Sequence, residues 1–380
     1  MSSPPEPPAP PASSAIVVPK GVAGPKAVDV SKAAPKSAAG GRIGAADMRA
    51  AIERSGYLIE HRVAQAFEQA GFYVSANAPY PDPNTGISRE LDISAISAHG
   101  LDRKYSEAVF PVVLCECENN PQPFVIFESP DLPHPWDTAM WKVSGSPCVV
   151  RANYGRGVPL SEALKLDAFH HYWSTPTGTQ YCTFQQKKAP PSDWIAFHSD
   201  EQHNTFVGLI SALEADIDDH FDTYEPPPAP KRDVLNLQVY YLLIVLRGDL
   251  YLAQPGKRGV VLRPRRHLSY LRSIWSRDRR EEYQIDVVEE SFITSYLSLV
   301  DKEMTALVKR LKARKNQLDD ALDRLTTAAR DAVAGGKNDI VWRALLTDAK
   351  LLGDSDAATA GGATKSEGDH KRTSVRAESG

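Results

Sequence analysis

The sequence predicts an α/β fold in which a mixed sheet is flanked by helices. Three observations support this prediction. Apolar residues recur at helical spacing in long segments, short valine-rich or alternating segments have the pattern of strands, and the two kinds of segment follow one another along the chain. The length of 380 residues suffices for one large domain or two small ones. We expect the α/β domain at residues 45–330.

The first half of this domain is predicted to begin with a helix and to continue into strands. Apolar residues from Met48 to Phe67 recur at helical spacing, Ser55-Gly56 should divide this helix, and Gly71 should end it. A turn-rich loop is expected at 79–88, and a second long helix over 204–221. The strands are predicted at 72–76, 91–97, 109–118 and 123–128.

The second half is predicted to contain a hairpin followed by helices. Residues 236–246 and 249–253 have the pattern of two strands, with Arg247-Gly248 as their turn. Helices are expected beyond them, the last over 287–325 as a long C-terminal helix. This helix carries apolar residues at seven-residue intervals, namely Met304, Leu311, Leu318 and Leu325. Such spacing is typical of a homodimer interface and also of a helix that packs on its own domain, so both remain open.

Both termini lack the residues that a core requires. Residues 1–44 are rich in proline, alanine and serine, and residues 331–380 in small and charged residues, so both are predicted to be disordered apart from a short helix at 339–352. The longest apolar run, residues 239–246, is too short to cross a membrane, and the first residues do not resemble a signal peptide. We therefore expect a cytoplasmic protein with no membrane partner and with reduced cysteines.

Four acidic residues stand out by their predicted positions. Glu60 lies on the first helix, Asp92 in the second strand, and Glu116 and Glu118 in the third. Strand residues two apart project from the same face, so Glu116 and Glu118 should point the same way, and Asp92 reaches them if the two strands are neighbours. Carboxylates crowd together only around a cation or with protons held by raised pKa values, and oxygen ligands suit Mg²⁺ or Mn²⁺.

An alternative is that Glu116 and Glu118 belong to the solvated face of an ordinary sheet, which is the usual origin of a Glu-x-Glu pattern. The run Pro-Val-Val-Leu-Cys before them is apolar, however, and indicates a buried central strand. Asp92 also lies in an apolar strand. These neighbours favour the metal site.

Three motifs stand out within residues 45–130, namely Gly56-Tyr-Leu-Ile-Glu60, Arg89-Glu-Leu-Asp92-Ile and Leu114-Cys-Glu-Cys-Glu118. In this order they resemble the opening helix, the metal-binding Asp strand and the (D/E)-x-K strand of the PD-(D/E)XK nucleases. The resemblance implies a restriction-endonuclease-like fold and hydrolysis of phosphodiester bonds with Mg²⁺ or Mn²⁺. It implies that Asp92 and Glu116 hold the metal, that Glu118 positions or deprotonates water, and that Glu60 binds the outer shell or a second ion.

The chain departs from this family at one position. The family's lysine, which offsets charge in the transition state, falls on Glu118. The resemblance therefore leaves two functions open: an active metal-dependent nuclease, or a catalytically inactive protein of this fold that binds nucleic acid or a protein partner. Lys142 is a candidate for a displaced cation.

A basic segment is the predicted nucleic-acid surface. Residues 257–280 contain nine lysines and arginines and a single acid, Asp278. The residues expected to contact phosphates, with DNA favoured over RNA, are Arg263, Arg265, Arg266 and Arg272. The alternative is a helix with a solvated basic face that is balanced by Glu281, Glu282 and Asp286.

Signatures of other functions are absent from the sequence. It contains no Walker loop, no Gly-x-Gly-x-x-Gly after a strand, no His-Glu-x-x-His and no paired Cys-x-x-Cys. His134, His170, His171 and His198 have no ligand spacing. They are predicted to be ordinary surface or boundary residues.

Overall fold

The computed structural model describes residues 42–83, 85–102, 104, 106–131, 141–145, 149–151, 157–187, 193–222, 227–231, 233–276 and 279–334. The chain divides into a unit of residues 1–47, of which only 42–47 are described, and a unit from Met48 onward that contains the remaining elements. The two predicted tails lie outside the described residues except for 42–44 and 331–334. The predicted helix at 339–352 lies wholly outside them.

The described residues form six α-helices and fifteen strands. The helices are α1 (Ala45–Arg54), α2 (Tyr57–Gln69), α3 (Leu160–Leu164), α4 (Asp200–Asp222), α5 (Ile293–Ala313) and α6 (Lys315–Ala334). Single 3₁₀ turns are formed by Leu166–Ala168, His171–Trp173 and Glu290–Phe292. None of these helices is both long and apolar enough to span a membrane.

The first eight strands are β1 (Tyr73–Pro81), β2 (Ser88–Ile96), β3 (His99–Gly100), β4 (Ala108–Glu118), β5 (Phe124–Glu128), β6 (Val143–Ser144), β7 (Val149–Arg151) and β8 (Gly157–Pro159). The others are β9 (Thr177–Gln186), β10 (Trp194–Phe197), β11 (Asn236–Leu246), β12 (Leu250–Gly256), β13 (Gly259–Arg265), β14 (His267–Ser276) and β15 (Arg279–Glu289).

One large mixed sheet dominates the fold. Its order is β1-β2-β4-β11-β15-β14-β9-β5-β12-β13, with β3, β6 and β10 paired to β4, β11 and β9, while β7 and β8 form a separate pair. Strand β11 runs parallel to both β4 and β15, and the pairs β1–β2, β2–β4 and β14–β15 are antiparallel. The predicted α/β class, with a mixed sheet flanked by helices, is confirmed.

The sheet curls because one connection is very short. Only residues 247–249 join β11 to β12, whereas β15, β14, β9 and β5 lie between these two strands in the sheet. Five strand spacings amount to about 24 Å in a flat sheet. Three connecting residues span at most about 14 Å between the strand ends. The two halves of the sheet must therefore bend toward each other.

Helices cover both faces of this curled sheet. On the inner face, Leu114 of β4, Leu252 of β12 and Tyr270 of β14 pack in one core with Phe206 and Leu209 of α4, so α4 contacts both halves of the sheet. On the outer face, residues of β4 and β11 pack with α2, α5 and α6 in a second core. Strand alternation separates the two cores.

Strand β1 is longer than predicted. It extends to Pro81 and pairs with β2 as far as Ser88, so the expected loop at 79–88 shrinks to residues 82–87. Pro79 and Pro81 are tolerated because β1 is an edge strand, in which a missing N–H group breaks no ladder hydrogen bond.

The hairpin predicted at Arg247-Gly248 is wrong, because β11 and β12 do not pair with each other. Residues 239–246 are all buried, as is typical of a central parallel strand that is covered on both faces. The short link carries the chain from one half of the curled sheet to the other.

The helices predicted between this link and residue 287 are wrong as well, because the chain forms β13, β14 and β15. Tyr283, Ile285 and Val287 of β15 alternate into the inner core with period two. The positions between them hold the polar residues Gln284 and Asp286, and Glu282 precedes them.

The predicted long C-terminal helix is two helices, α5 and α6, which start at Ile293 and Lys315. Met304, Leu311 and Leu318 are 0% exposed and belong to the outer core of their own chain. Leu325 lies in α6, where its side chain is outside the described part. Of the two alternatives, packing on the chain's own domain therefore holds for Met304, Leu311 and Leu318.

We predict that Gly248→Ala destabilises the fold at the turn between the two sheet halves. A Cβ at this position would lie 2.6 Å from the carbonyl oxygen of Asn120 and 3.0 Å from that of Gln122, both backbone atoms. Overpacking of this kind costs about 1–3 kcal/mol. Urea denaturation measures the loss. The control is Gly208→Ala in α4, whose added methyl has no neighbour closer than 3.6 Å. Equal stability of Gly248→Ala and wild type would contradict the tight turn.

Candidate functional site

The antiparallel pairing of β2 with β4 brings the predicted acidic residues together. The register ends with Ile93 paired to Cys115, and the side chains of the next residues, Asp92 and Glu116, are joined by a hydrogen bond. The Oδ2 atom of Asp92 accepts a hydrogen bond of 2.8 Å from the backbone N–H of Cys117. The prediction that Asp92 and Glu116 meet on neighbouring strands is confirmed.

Helix α4 contacts the acidic residues from the inner face. The hydroxyl of Thr205 donates a 2.6 Å hydrogen bond to Oε1 of Glu118. One turn further along the helix, the carbonyl oxygen of Gly208 accepts a 3.0 Å hydrogen bond from the hydroxyl of Tyr80 in β1. A Cβ added at Gly208 would lie 3.9 Å from Oε1 of Glu116, so the helix passes directly over this carboxylate. Thr205 and Tyr80 had no sequence signal because their roles depend on which helix face meets the sheet.

Glu60 approaches from the other side because α2 is held at the end of β4. The Nδ2 atom of Asn119, the residue after Glu118, donates to the carbonyl oxygens of Arg54 and Ser55 at 2.8 and 2.7 Å. Ser55 lies in the break between α1 and α2 that the sequence predicted. The first turn of α2 thereby carries Glu60 close enough to Asp92 for their charges to interact.

The four carboxylates, which we call the acidic cluster (Glu60, Asp92, Glu116 and Glu118), repel one another strongly. Burial and then the charge of Asp92 raise the pKa of Glu116 to about 9, with further contributions from Glu118 and Glu60. Burial also raises the pKa of Asp92, and burial together with Asp92 raises that of Glu60. At neutral pH Glu116 therefore keeps its proton and shares it with Asp92 through a hydrogen bond. The predicted raised pKa is confirmed.

Within the described part of the chain, no lysine or arginine is among the main influences on the pKa values of Glu60, Asp92 and Glu116. Lys142, the candidate for a displaced cation, instead pairs with Glu281 at 2.9 Å and lies 4.5 Å above the ring of Tyr283. The acidic cluster is also more open than a closed metal cage. It is not among the groups of described residues in which three or more potential ligand atoms all lie within 4.8 Å of one another.

The groups that meet this distance limit lie elsewhere, on the outer face, and contain histidines. They are His170, His171 and Glu303, and His171, His267 and Asp286. His171 connects them: its Nδ1 lies 2.8 Å from Glu303 of α5, and its Nε2 lies 2.8 Å from Asp286 of β15. We call these five residues the buried histidine network. It lies in the outer core between the sheet, α5 and the 3₁₀ turn that begins at His171.

The charges of the carboxylates in this network, unlike those in the acidic cluster, are offset by neighbouring groups. Burial alone would lower the pKa of His171, but Asp286 and Glu303 outweigh it and raise this pKa to about 10. Burial would raise the pKa values of the two acids, but the neighbouring histidines hold both below their usual range. Asp286 also accepts hydrogen bonds from Ser269 at 2.9 Å and Tyr296 at 2.8 Å. A metal ion would have to displace these bonds, so we assign the network to stability.

The prediction that His170 and His171 are surface or boundary residues is therefore wrong, and so is the placement of Asp286 on a solvated helix face. His170 and His171 are 2% and 3% exposed, and Asp286 is fully buried. The sequence held one signal, because Asp286 interrupts the apolar run Ile285-Asp-Val-Val of a strand. His198 is exposed, as predicted, and His134 lies outside the described residues.

The four predicted phosphate-contacting arginines lie in two different environments. Arg263 and Arg266 are exposed and Arg265 is partly exposed, in or next to β13. Arg272 instead packs under α4, where its guanidinium lies 3.1 Å from Nδ1 of His203 and 3.2 Å from the hydroxyl of Tyr270. The alternative of a basic helix face is wrong, because these residues lie in strands or between them.

We predict that Asp286→Asn destabilises the protein severely. The change leaves the shape almost intact but removes one of the two charges that hold the His171 imidazolium. Removing one partner of a buried ion pair costs about 3–5 kcal/mol. The measurement is the free energy of unfolding in urea at pH 6. At this pH His171 is charged in the folded state and in most unfolded molecules. Arg280→Ala, which breaks the exposed pair of Arg280 with Glu282, serves as control. Similar small losses in both variants would contradict the assignment.

Comparison with known proteins finds no relative: the chain matches no family model, no curated protein and no solved structure.

Proposed function

We propose that this protein is a metal-dependent nuclease that hydrolyses phosphodiester bonds of nucleic acid, DNA in preference to RNA, at the acidic cluster. One observation carries the proposal. The pairing of β2 with β4 brings the carboxyl groups of Asp92 and Glu116 into hydrogen-bond contact, and Glu60 and Glu118 lie close enough to help raise the pKa of Glu116. A structure that only needed stability would have a basic residue or an apolar one here, as the buried histidine network illustrates. Crowded carboxylates without such compensation are typical of a cation site.

The donor set fits Mg²⁺ or Mn²⁺. Asp92, Glu116 and Glu60 offer only carboxylate oxygens, the ligands that these hard ions prefer. Asp92 and Glu116 would hold the ion, and Glu60 would hold its outer shell or a second ion. When bound, the cation supplies charge neutralisation at the phosphate and lowers the pKa of water.

Glu118 is the proposed proton acceptor. It projects from β4 on the same face as Glu116, and the hydrogen bond from Thr205 fixes one of its oxygens. A carboxylate held in this way would orient a water molecule and take its proton as the water oxygen attacks phosphorus. The bond from phosphorus to one ester oxygen breaks in the same step, and solvent water protonates that leaving oxygen. It cannot neutralise transition-state charge as the lysine of PD-(D/E)XK nucleases does, so that task would fall to the cation.

The arrangement of the elements supports the resemblance to these nucleases. We propose that α2, β1, β2, β4, α4 and β11 correspond to a restriction-endonuclease-like core. The Asp92 strand and the Glu116 strand form an antiparallel pair, as the resemblance requires, and the helix with Glu60 precedes them. The second candidate is an inactive protein of this fold that binds nucleic acid. Two observations favour it: in the resemblance Glu118 takes the position of the lysine, and Lys142 forms an ion pair with Glu281.

We predict that wild type cleaves DNA in Mg²⁺ or Mn²⁺ and that Glu118→Gln lowers the rate about 100-fold or more, because glutamine keeps the hydrogen bond from Thr205 but accepts no proton. Asp92→Asn should abolish cleavage by removing a metal ligand. Glu90→Gln is the matched control, since Glu90 lies in the same strand with its side chain exposed. Rates are measured on plasmid and on single- and double-stranded oligonucleotides, with EDTA as the blank.

Two results would contradict the active nuclease. If wild type cuts neither DNA nor RNA in either metal, yet millimolar Mn²⁺ raises its melting temperature and not that of Asp92→Asn, the inactive alternative holds. If Mn²⁺ changes neither melting temperature, the acidic cluster is not a metal site.

A further inference from the structure

Strands β12 and β13 form an exposed ribbon at the end of the sheet. They pair from Leu250 and Arg265 to Gly256 and Gly259, and Lys257 and Arg258 form the turn. The base is anchored, since Leu250 to Ala253 also pair with β5. Beyond it, residues 255–264 are all exposed, and within the described chain β13 pairs with β12 alone. We call residues 250–266 the basic hairpin.

The basic hairpin carries charge opposite to that of the chain as a whole. Its 17 residues include five basic side chains and no acid, whereas the chain has a net charge of −4. The basic residues are Lys257, Arg258, Arg263, Arg265 and Arg266. Such a local excess attracts a polyanion despite the acidic remainder.

Apolar side chains lie between these charges without a partner in the core. Val260, Val261 and Leu262 are 62%, 44% and 50% exposed. Apolar surface at the tip of a ribbon costs free energy in water, so its retention indicates a contact with another molecule. The combination of basic residues with small apolar residues suits a DNA groove, in which phosphates line the walls and thymine methyl groups the floor.

The basic hairpin starts at the end of the sheet that carries the acidic cluster. The backbone N–H of Arg247 donates a 3.0 Å hydrogen bond to the carbonyl oxygen of Glu118, and β12 begins three residues later. The start of β12 is therefore at most about 14 Å from the end of β11. The seven residues of each strand extend about 23 Å further. The base of the basic hairpin therefore lies near the acidic cluster, and its strands extend from there.

We propose that the basic hairpin is an arm that inserts into the major groove of duplex DNA. The major groove is about 12 Å wide and about 8.5 Å deep and admits a two-stranded ribbon. Lys257, Arg258 and Arg263 contact phosphates, and Val260 and Leu262 contact the floor of the groove. The inference rests on the proposed function, because that function makes nucleic acid the partner. It adds that the substrate is a duplex and names the element that recognises the duplex. Arg272, packed under α4, has no part in the arm.

Binding is measured separately from cleavage. Fluorescence anisotropy of the full chain in EDTA gives affinities for a labelled 24-base-pair duplex and for one of its single strands, over a range of salt. Lys257→Ala/Arg258→Ala/Arg263→Ala should weaken duplex binding at least tenfold and lower the salt slope by about one for each lost contact. Val260→Ser/Leu262→Ser should weaken duplex binding more than single-strand binding and leave the salt slope unchanged.

Matched controls exclude effects of net charge and folding. Lys302→Ala/Lys309→Ala/Lys312→Ala removes three exposed charges from α5 and should bind as wild type. Circular dichroism and melting temperature test whether every variant is folded, and a single Arg258→Ala at the turn provides a milder change.

The arm is overturned by any of four results. These are equal duplex affinity of wild type and the charge variant, preference for single strands, loss of a wild-type dimer in the hairpin variants, or loss of binding to phosphatidylserine vesicles with duplex binding intact. The third would assign β13 to a second copy of the chain, and the fourth to a membrane surface.

If wild type binds duplex through the hairpin but cuts nothing in Mg²⁺ or Mn²⁺, the arm stands and the nuclease falls. If it cuts DNA while both hairpin variants bind as wild type, the nuclease stands and the arm falls.

Discussion

The short connections after β4 and β11 are the constraint on which the rest of the structure depends. Residues 119–123 and 247–249 each take the chain from one half of the sheet to the other. Because these links are shorter than the flat sheet is wide, the sheet bends around α4 and its inner face becomes a core. The same links bring the end of β4, the break before α2 and the base of the basic hairpin to one place. The acidic cluster is a consequence of this geometry.

Two groups of buried carboxylates differ in how their charges are offset. Asp286 and Glu303 both contact the His171 imidazolium and nearby hydroxyl groups. Their pKa values therefore lie below the usual range. Glu116 faces carboxylates, and its pKa rises to about 9. Crowding buried carboxyl groups is costly even when one of them keeps a proton, and a bound cation would offset that cost. The asymmetry between the two groups is the physical basis for choosing the acidic cluster as the functional site.

The sequence predicted what local patterns determine. Helices α2 and α4, strands β2 and β4, and the approach of Asp92 to Glu116 follow from apolar periodicity and strand alternation. The buried histidine network does not, because His171 meets residues 115 and 132 positions away. Strand β11 resembled half of a hairpin, since nothing within the segment records that its partners are β4 and β15. In the sequence Arg272 appeared equivalent to Arg263, but in the structure Arg272 packs under α4 whereas Arg263 is exposed.

Proton release on metal binding tests the central claim, that the acidic cluster is a metal site. Glu116 holds a proton at neutral pH because its folded pKa is about 9, and a bound cation must displace that proton. Calorimetric titration of Mn²⁺ at pH 7 in buffers of different ionisation enthalpy gives the number of protons released. We expect about one proton released per bound ion, no release from Glu116→Gln, and a metal affinity that rises as the pH approaches 9. Binding without proton release, or equal release from Glu116→Gln, would contradict it.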